Sequence, residues 1–389
     1  MLRILFSARD PGAAQAMVPV IRCALSHPQV DSVVWAQGPA AEILAAAGLP
    51  VRILDLPALP APDAPGRDAL LEAAGSLLES ENPNAVVTGL SGPGAGIDEA
   101  LLHCAVDRPR YSIQDFEGWV VPGFGRPAPT YFVADPGAAD RTRRQGERFG
   151  GIRTVVVGSL KHSHYGMLDP TALRRTGRAA LPHREWPLVG FYGQPAWQWP
   201  GYERSIIHLA QSLAARLPSA IVVYRPHPKE SAAERSRSLG IFASAGLAAV
   251  ADPNPAIEQS LCAVDLVTTC FSTCGIDHVH LQRRSPTPLG GVVFVMTEAD
   301  LRDRLERETG LPVPWPAQDG LAEAALSAAD LPDRLAAAIA EPVRRRAWER
   351  IRSRLEPAQT APDTVIRHIL DDLGALTASH PDRIAGGPG

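Results

Sequence analysis

A histidine held between two prolines is the first feature that could do chemistry, in the run Tyr224-Arg225-Pro226-His227-Pro228-Lys229-Glu230. It follows a short apolar stretch, Ala220–Tyr224, that reads as a strand buried on both faces. The prolines fix the backbone on either side, so the imidazole of His227 is held in one place. A fork at Arg225, an ammonium at Lys229 and an imidazole between them suit a phosphate. The alternative is a capped loop with a solvated basic patch. Further along, Thr268-Thr269-Cys270-Phe271-Ser272-Thr273-Cys274-Gly275 runs from a strand through a hydroxyl-rich turn into a helix. Ser272 and Thr273 can cap that helix. The same hydroxyls and free amides can bind a phosphate at the positive helix end. Earlier, Tyr111-Ser112-Ile113-Gln114-Asp115-Phe116-Glu117-Gly118-Trp119 sets Asp115 and Glu117 just past a buried strand. A carboxylate in a cleft there can act as general base toward a hydroxyl. A turn or a helix cap is the other role for it.

Other features carry less. The pentapeptide Asp-Pro-Gly-Ala-Ala occurs at Asp10–Ala14 and again at Asp135–Ala139, each time between a strand and a helix. Asp can cap the first amides and Pro suits the first turn, so the copies read as shared helix-start chemistry. In the first copy, Asp10 and the small residues Gly12 and Ala13 let a ligand approach backbone amides at a helix N-terminus. Gly92-Pro93-Gly94-Ala95-Gly96 lacks the full dinucleotide pattern and the acidic residue that should follow it. It reads as a ligand-facing loop through Gly94. Trp197 and Trp199 read as packing rather than base stacking. His162-x-His164 and His278-x-His280 invite a metal reading, but zinc needs three or four ligands at fixed geometry. The second pair lies on the expected helix Thr273–Gln282, where alternate residues do not share a face, and no metal site is expected.

The elements that must position these groups alternate between short apolar runs and longer amphipathic ones. Strands are expected at Arg3–Ser7, Ser32–Ala36, Val51–Leu54, Ala85–Thr88, Arg110–Gln114, Tyr131–Ala134 and Thr154–Val157. A second set is expected at Leu188–Tyr192, Ala220–Tyr224, Ala248–Ala251, Leu266–Thr269 and Gly291–Met296. Helical patterns separate most of them, and strand–helix–strand order implies parallel sheets with right-handed crossovers. The expected fold is α/β, with two Rossmann-like domains and C-terminal helices packing back across the cleft. The boundaries are an N-terminal domain over 1–165, a Pro-broken linker over 166–187, a second domain over 188–355, and a helix with a frayed tail over 356–389.

Composition narrows the function classes. With 389 residues, two cores are expected. The net charge of −4 argues against a nucleic-acid partner, because such proteins present a basic face. The basic clusters Arg141-Thr142-Arg143-Arg144 and Arg344-Arg345-Arg346 read as solvated helix faces, with contact to an anionic lipid or glycan as the second reading. No apolar run is long enough for a membrane span, and the start of the chain reads as a strand rather than a secretory signal. Five scattered cysteines without a CxxC suit free thiols in a reducing compartment. A cytoplasmic protein is expected.

The order of these motifs resembles the GT-B glycosyltransferases. More narrowly, an acidic-x-acidic-Gly motif, a His-Pro motif and a following hydroxyl pair resemble the bacterial sialyltransferases and polysialyltransferases. The Arg-Pro-His-Pro loop is also similar to that of the glycerophosphotransferases that use CDP-glycerol. Phe116 separates two acids that are adjacent in those families, which leaves both Asp115 and Glu117 open as the base. The resemblance implies that one of them deprotonates an acceptor. It implies that His227 holds the donor phosphate and protonates the leaving group, and that Ser272 and Thr273 cradle that phosphate. It further implies that the Gly193-Gln194 loop faces the donor and that Glu258 grips its ribose, though a solvated helix carboxylate is an equal reading for Glu258. The implied activity is an inverting, metal-independent transfer of a sugar from a CMP-, CDP- or UDP-linked donor in the cleft between the domains. The acceptor is a glycan, lipid or protein hydroxyl, the setting cell-surface polysaccharide synthesis, and no separate cofactor is expected. A UDP-sugar 2-epimerase and a non-catalytic nucleotide-binding assembly factor are the alternatives.

Overall fold

The computed structural model describes residues 1–92, 94–115, 118–181 and 187–379. They fall into two compact units, Met1–Gly166 with the segment from Glu356 onward, and Met167–Leu355.

The first unit carries strands β1 (Leu2–Ala8), β2 (Val30–Ala36), β3 (Val51–Ile53), β4 (Ala85–Gly89), β5 (Arg110–Ile113), β6 (Thr130–Val133) and β7 (Arg153–Val156). Its helices are α1 (Pro11–Ser26), α2 (Pro39–Ala46), α3 (Arg67–Glu81), α4 (Ile97–Cys104) and α5 (Pro136–Gly146). The strands form one parallel sheet in the order β3-β2-β1-β4-β5-β6-β7. Ile4, Leu5 and Phe6 of β1 and Val86 and Val87 of β4 are fully buried, which is why these runs are apolar without alternation. Helix α1 presents Ala13, Met17, Val20 and Ala24 to the core at helical spacing. Ala13 comes so close to β4 that a side chain at Gly89 would sit 2.5 Å from its Cβ.

In the second unit, helix α6 (Pro170–Ala180) comes first. The chain then runs β8 (Leu188–Tyr192), α7 (Pro200–Arg216), β9 (Ile221–Arg225), α8 (Ala232–Ser244), β10 (Ala248–Ala251), α9 (Ile257–Ala263), β11 (Leu266–Thr269), α10 (Thr273–Arg284) and β12 (Gly291–Val295). It closes with α11 (Ala299–Thr309), α12 (Trp315–Gln318), β13 (Glu323–Ala325), α13 (Leu331–Ile339) and α14 (Glu341–Arg354). The sheet is parallel throughout, in the order β10-β9-β8-β11-β12-β13. Each sheet therefore has its first strand at the centre and reverses direction there, the doubly wound order of a Rossmann sheet. The last helix, α15 (Ala361–Ser379), packs on α1 through Val365, Ile366, Ile369 and Leu373 and so belongs to the first unit.

Two elements were not expected. The stretch read as a linker holds α6, which packs on α9. Asp169 caps it by accepting from the Thr171 and Ala172 amides at 2.9 and 3.1 Å. Pro170 occupies the first turn, where a proline starts a helix instead of breaking one. Arg174 and Arg178 of α6 both bind the buried carboxylate of Asp265. Strand β13 is only three residues, Glu-Ala-Ala, without the β-branched residues that mark a strand. One basic cluster also departs from its reading: Arg141 and Thr142 are buried, and only Arg143 and Arg144 face solvent.

Candidate functional site

In the second unit the turns after β9, β8 and β11 leave one edge of the sheet side by side, at the point where the winding reverses. That is where ligands sit in open α/β sheets. The histidine loop, the Gly193-Gln194 turn and the Ser272 turn are these three exits, so the sequence-expected residues share one carboxyl edge. Strands β9 and β11 are two positions apart, about 10 Å at ordinary strand spacing.

The histidine is built from its own loop. The Lys229 amide donates to His227 Nδ1 at 3.1 Å, which leaves the ring proton on Nε2. Partial burial lowers the pKa of His227 from the ordinary value, the main cause being desolvation, with Glu230 opposing it. The ring is thus a neutral donor through Nε2. Glu230, which the sequence reading did not single out, organises the loop. Its buried carboxylate accepts from the His227 amide, from Tyr224 Oη at 3.0 Å and from Trp197 Nε1 at 3.0 Å. A side chain at Gly193 would sit 2.4 Å from Glu230 Oε2, so glycine is what lets the β8 exit lie against the histidine loop. The signal for Glu230 was present, a carboxylate three residues after the histidine, but a sequence does not say whether it points in or out.

Arg225 has a different part from the expected phosphate fork. Its Nη1 donates to Asp252 Oδ2 at 2.8 Å and to the Asn254 carbonyl at 2.7 Å, and its Nη2 to the Pro255 carbonyl at 3.1 Å. Asp252 is fully buried at its side chain. The guanidinium fastens the β9 exit to the loop before α9, which sets Glu258 in the first turn of α9 on the same edge. Lys229 is exposed to solvent.

On the other side of β8, Gln194 ties two exits together. Its amide donates to Tyr202 Oη at 2.7 Å and its Oε1 accepts from the Phe271 amide at 2.9 Å. Thr269 Oγ1 donates to the Tyr192 carbonyl at 2.9 Å and accepts from the Ser272 amide at 3.3 Å. Ser272 caps α10, its Oγ accepting from the Cys274 amide at 3.3 Å, while Thr273 is exposed in the first turn. Capping occupies one lone pair of Ser272 Oγ. Trp197 lies against Tyr202 and Arg237, and Trp199 stacks on Phe271 with the Arg304 guanidinium 3.9 Å from its ring centre. Both indoles are thus engaged in packing.

In the first unit the exits of β1, β4 and β5 form the corresponding edge. Asp115, exposed just past β5, reaches the start of α1: a Cβ on Gly12 would lie 2.0 Å from its Oδ2. Asp115 and Gly12 are therefore together. Glu117 lies outside the described residues. Asp10 does not cap α1 as expected. Its Oδ2 accepts from the Gly92 amide and its Oδ1 from Arg9 Nη1 at 3.3 Å. The second copy behaves as expected, Asp135 Oδ1 accepting from Ala138 N at 2.9 Å. Ala13 turns its side chain into the core against Gly89, so its backbone is what faces the helix start. Gly94 has φ +96, and a side chain there would lie 2.1 Å from the Leu59 carbonyl oxygen. It serves the bridge between Leu59 and Ala95.

Beneath this edge lies a buried polar cluster that the sequence reading missed. Arg9 Nε donates to Glu99 Oε2 at 3.2 Å and its Nη2 to the Gly92 carbonyl at 2.6 Å. Asp98 accepts from Ser7 Oγ at 2.6 Å, Ser91 Oγ at 2.7 Å and the Arg9 amide at 3.1 Å. Burial, and after it the nearby Glu99 charge, push Asp98 up to about 7. Adjacent acids in the first turn of α4 read as dipole partners of that helix, and only the fold brings Arg9 over them. Among the described residues no group of three or more His, Cys, Asp or Glu side chains could hold a metal ion. Among them, too, no helix is long and apolar enough to cross a membrane.

No family model and no curated protein matches the sequence. Solved structures do match the fold. A UDP-GlcNAc 2-epimerase from Neisseria meningitidis, solved with UDP-GlcNAc bound, aligns at TM-score 0.60 and 12% identity over 95% of this chain and 100% of that one. Acinetobacter baumannii MurG aligns at 0.61 and 13% over 96% and 100%. A glycosyltransferase from Rickettsia africae aligns at 0.62 and 10% over 96% and 98%. The fold of this chain is that of the GT-B proteins, two Rossmann-like α/β domains with parallel sheets.

Proposed function

We propose that this protein is a glycosyltransferase that moves a sugar from a CMP-, CDP- or UDP-linked donor to a hydroxyl of a glycan, lipid or protein, with inversion and without a metal. The observation that carries the reading is the tautomer of His227: a neutral ring with its proton on Nε2, on the sheet edge that also bears the Ser272 turn. The acceptor hydroxyl gives its proton to Asp115 and attacks the anomeric carbon. The bond from that carbon to the donor phosphate oxygen breaks. Charge builds on the leaving phosphate and is met by His227 Nε2–H, the hydroxyls of Ser272 and Thr273 and the start of α10, dipoles set in place before the reaction. The narrower resemblance to sialyltransferases and CDP-glycerol enzymes, and a role in building cell-surface polysaccharide in the cytoplasm, belong to this proposal.

The test is release of nucleotide from a donor panel in the presence of acceptors. His227→Ala should lower transfer by about 10²–10³ with an unchanged melting temperature. Wild-type rates in that variant would remove the mechanism. The likeness to UDP-GlcNAc 2-epimerases favours a second reading, an isomerase acting on a UDP-sugar alone. Conversion of the donor without any acceptor would select it.

A further inference from the structure

At the opposite edge of the second sheet, where β12 and β13 begin, the described residues leave a cavity of about 200 Å³. Its floor is apolar, with Val292, Leu321 and Ala338, and its wall is the first three turns of α14 with Arg344, Arg346 and Arg350. The strand β12 is five residues long, which puts the cavity about 16 Å along the sheet from the candidate site. Helix α10 spans the same distance, with Ser272 at one end and the cavity residue Gln282 at the other.

The charges around this cavity are unbalanced. Arg344 and Arg346 make no ion pair among the described residues, whereas their neighbour Arg345 is paired with Glu341 at 2.7 Å. Arg344 Nε is closed off from solvent and has no hydrogen-bond partner, an arrangement that costs free energy unless something accepts from it. Among the described residues Arg350 donates Nη1 only to the Gly320 carbonyl, at 2.8 Å, and a side chain at Gly320 would lie 2.5 Å from that nitrogen. The one acid in the lining, Glu323, already accepts from Arg334 at 2.9 Å.

We propose that this cavity is a second anion site, which takes a phosphate group attached to a small, partly apolar body. Guanidinium forks suit the phosphate oxygens, and the floor suits carbon. The phosphate could be a soluble ester or a phospholipid headgroup, since both offer the same dianionic or monoanionic oxygens to Arg344 and Arg346.

Calorimetric titration of glycerol 3-phosphate at constant ionic strength reads the site directly. The His227→Ala protein, in which the candidate donor site is disabled, should keep one saturable site. Adding Arg344→Ala and Arg346→Ala should weaken it about tenfold or more. Should that protein fail to fold by circular dichroism, Arg346→Ala alone, at an exposed position, should still weaken it about threefold. Sedimentation with phosphatidylcholine vesicles carrying phosphatidylglycerol separates the sources. Retention that the arginine variants abolish assigns a lipid phosphate, and soluble binding without retention assigns a free ester. Unchanged affinity in the arginine variants, or no saturable binding of either probe, overturns the proposal.

Discussion

At Gly12 a single hydrogen stands where any other residue would place a carbon 2.0 Å from the Asp115 carboxylate. Its φ is not in the left-handed region, so alanine is compatible with the helix start, and alanine is the better helix former by about 1 kcal/mol. Gly12→Ala should therefore hold or raise the melting temperature while it displaces Asp115 and lowers transfer at least about tenfold. Asp115→Asn should lower it by about 10²–10⁴. A Gly12→Ala enzyme as active as wild type would mean that Asp115 is not the base. The same scale decides His227. Glutamine can present an N–H where Nε2 stands, so His227→Gln should retain more activity than His227→Ala in the same assay. Because the folded histidine has its pKa lowered, it is neutral above the ordinary value of 6.5, and its titration should not limit the rate between pH 7 and pH 8.

Between elements, buried carboxylates hold the turns in place. Glu230 joins the exits of β9 and β8 through three donors. Glutamine would offer an N–H to a pocket already filled with donors, so Glu230→Gln should cost about 1–3 kcal/mol in denaturant unfolding. Asp98 does the equivalent under β1 and β4. Its pKa in the folded chain, about 7, lies above the ordinary carboxylate value of 3.8, so the folded state holds a proton more firmly than the unfolded one. That contribution is full below pH 4 and is lost as pH rises through 7. Asp98→Asn should thus show a smaller fall in melting temperature from pH 4 to pH 7 than the parent, measured by thermal denaturation. An identical slope would show that Asp98 is ionised throughout.

As a whole molecule, the chain leaves its first unit once and returns once, through α15. The second unit is therefore continuous, Met167–Leu355, and carries the full histidine and hydroxyl edge. A fragment spanning it should fold and be stabilised by CMP, CDP or UDP. At a nucleotide concentration of 100 times Kd the gain is about 2.7 kcal/mol, read as a shift in melting temperature. No shift with any of the three nucleotides, in a fragment that is folded, would place nucleotide recognition elsewhere.

What the residues determined by themselves was the rhythm. Short apolar runs such as Leu188–Tyr192 and Ala85–Gly89 are strands because both faces are buried, and that requirement is written locally. The turns beyond them were legible for the same reason: proline, glycine and hydroxyl residues act on their own backbone. Direction and partner were not. Arg225 and Arg9 look like free cations in a sequence, and each is claimed by a carboxylate or carbonyl group from a distant part of the chain. Asp10 and Asp135 sit in identical pentapeptides, yet one caps its helix and the other turns to Gly92. Side-chain bonds across the fold depend on which strands are neighbours, and strand order is a property of the packed sheet that no local run of residues contains.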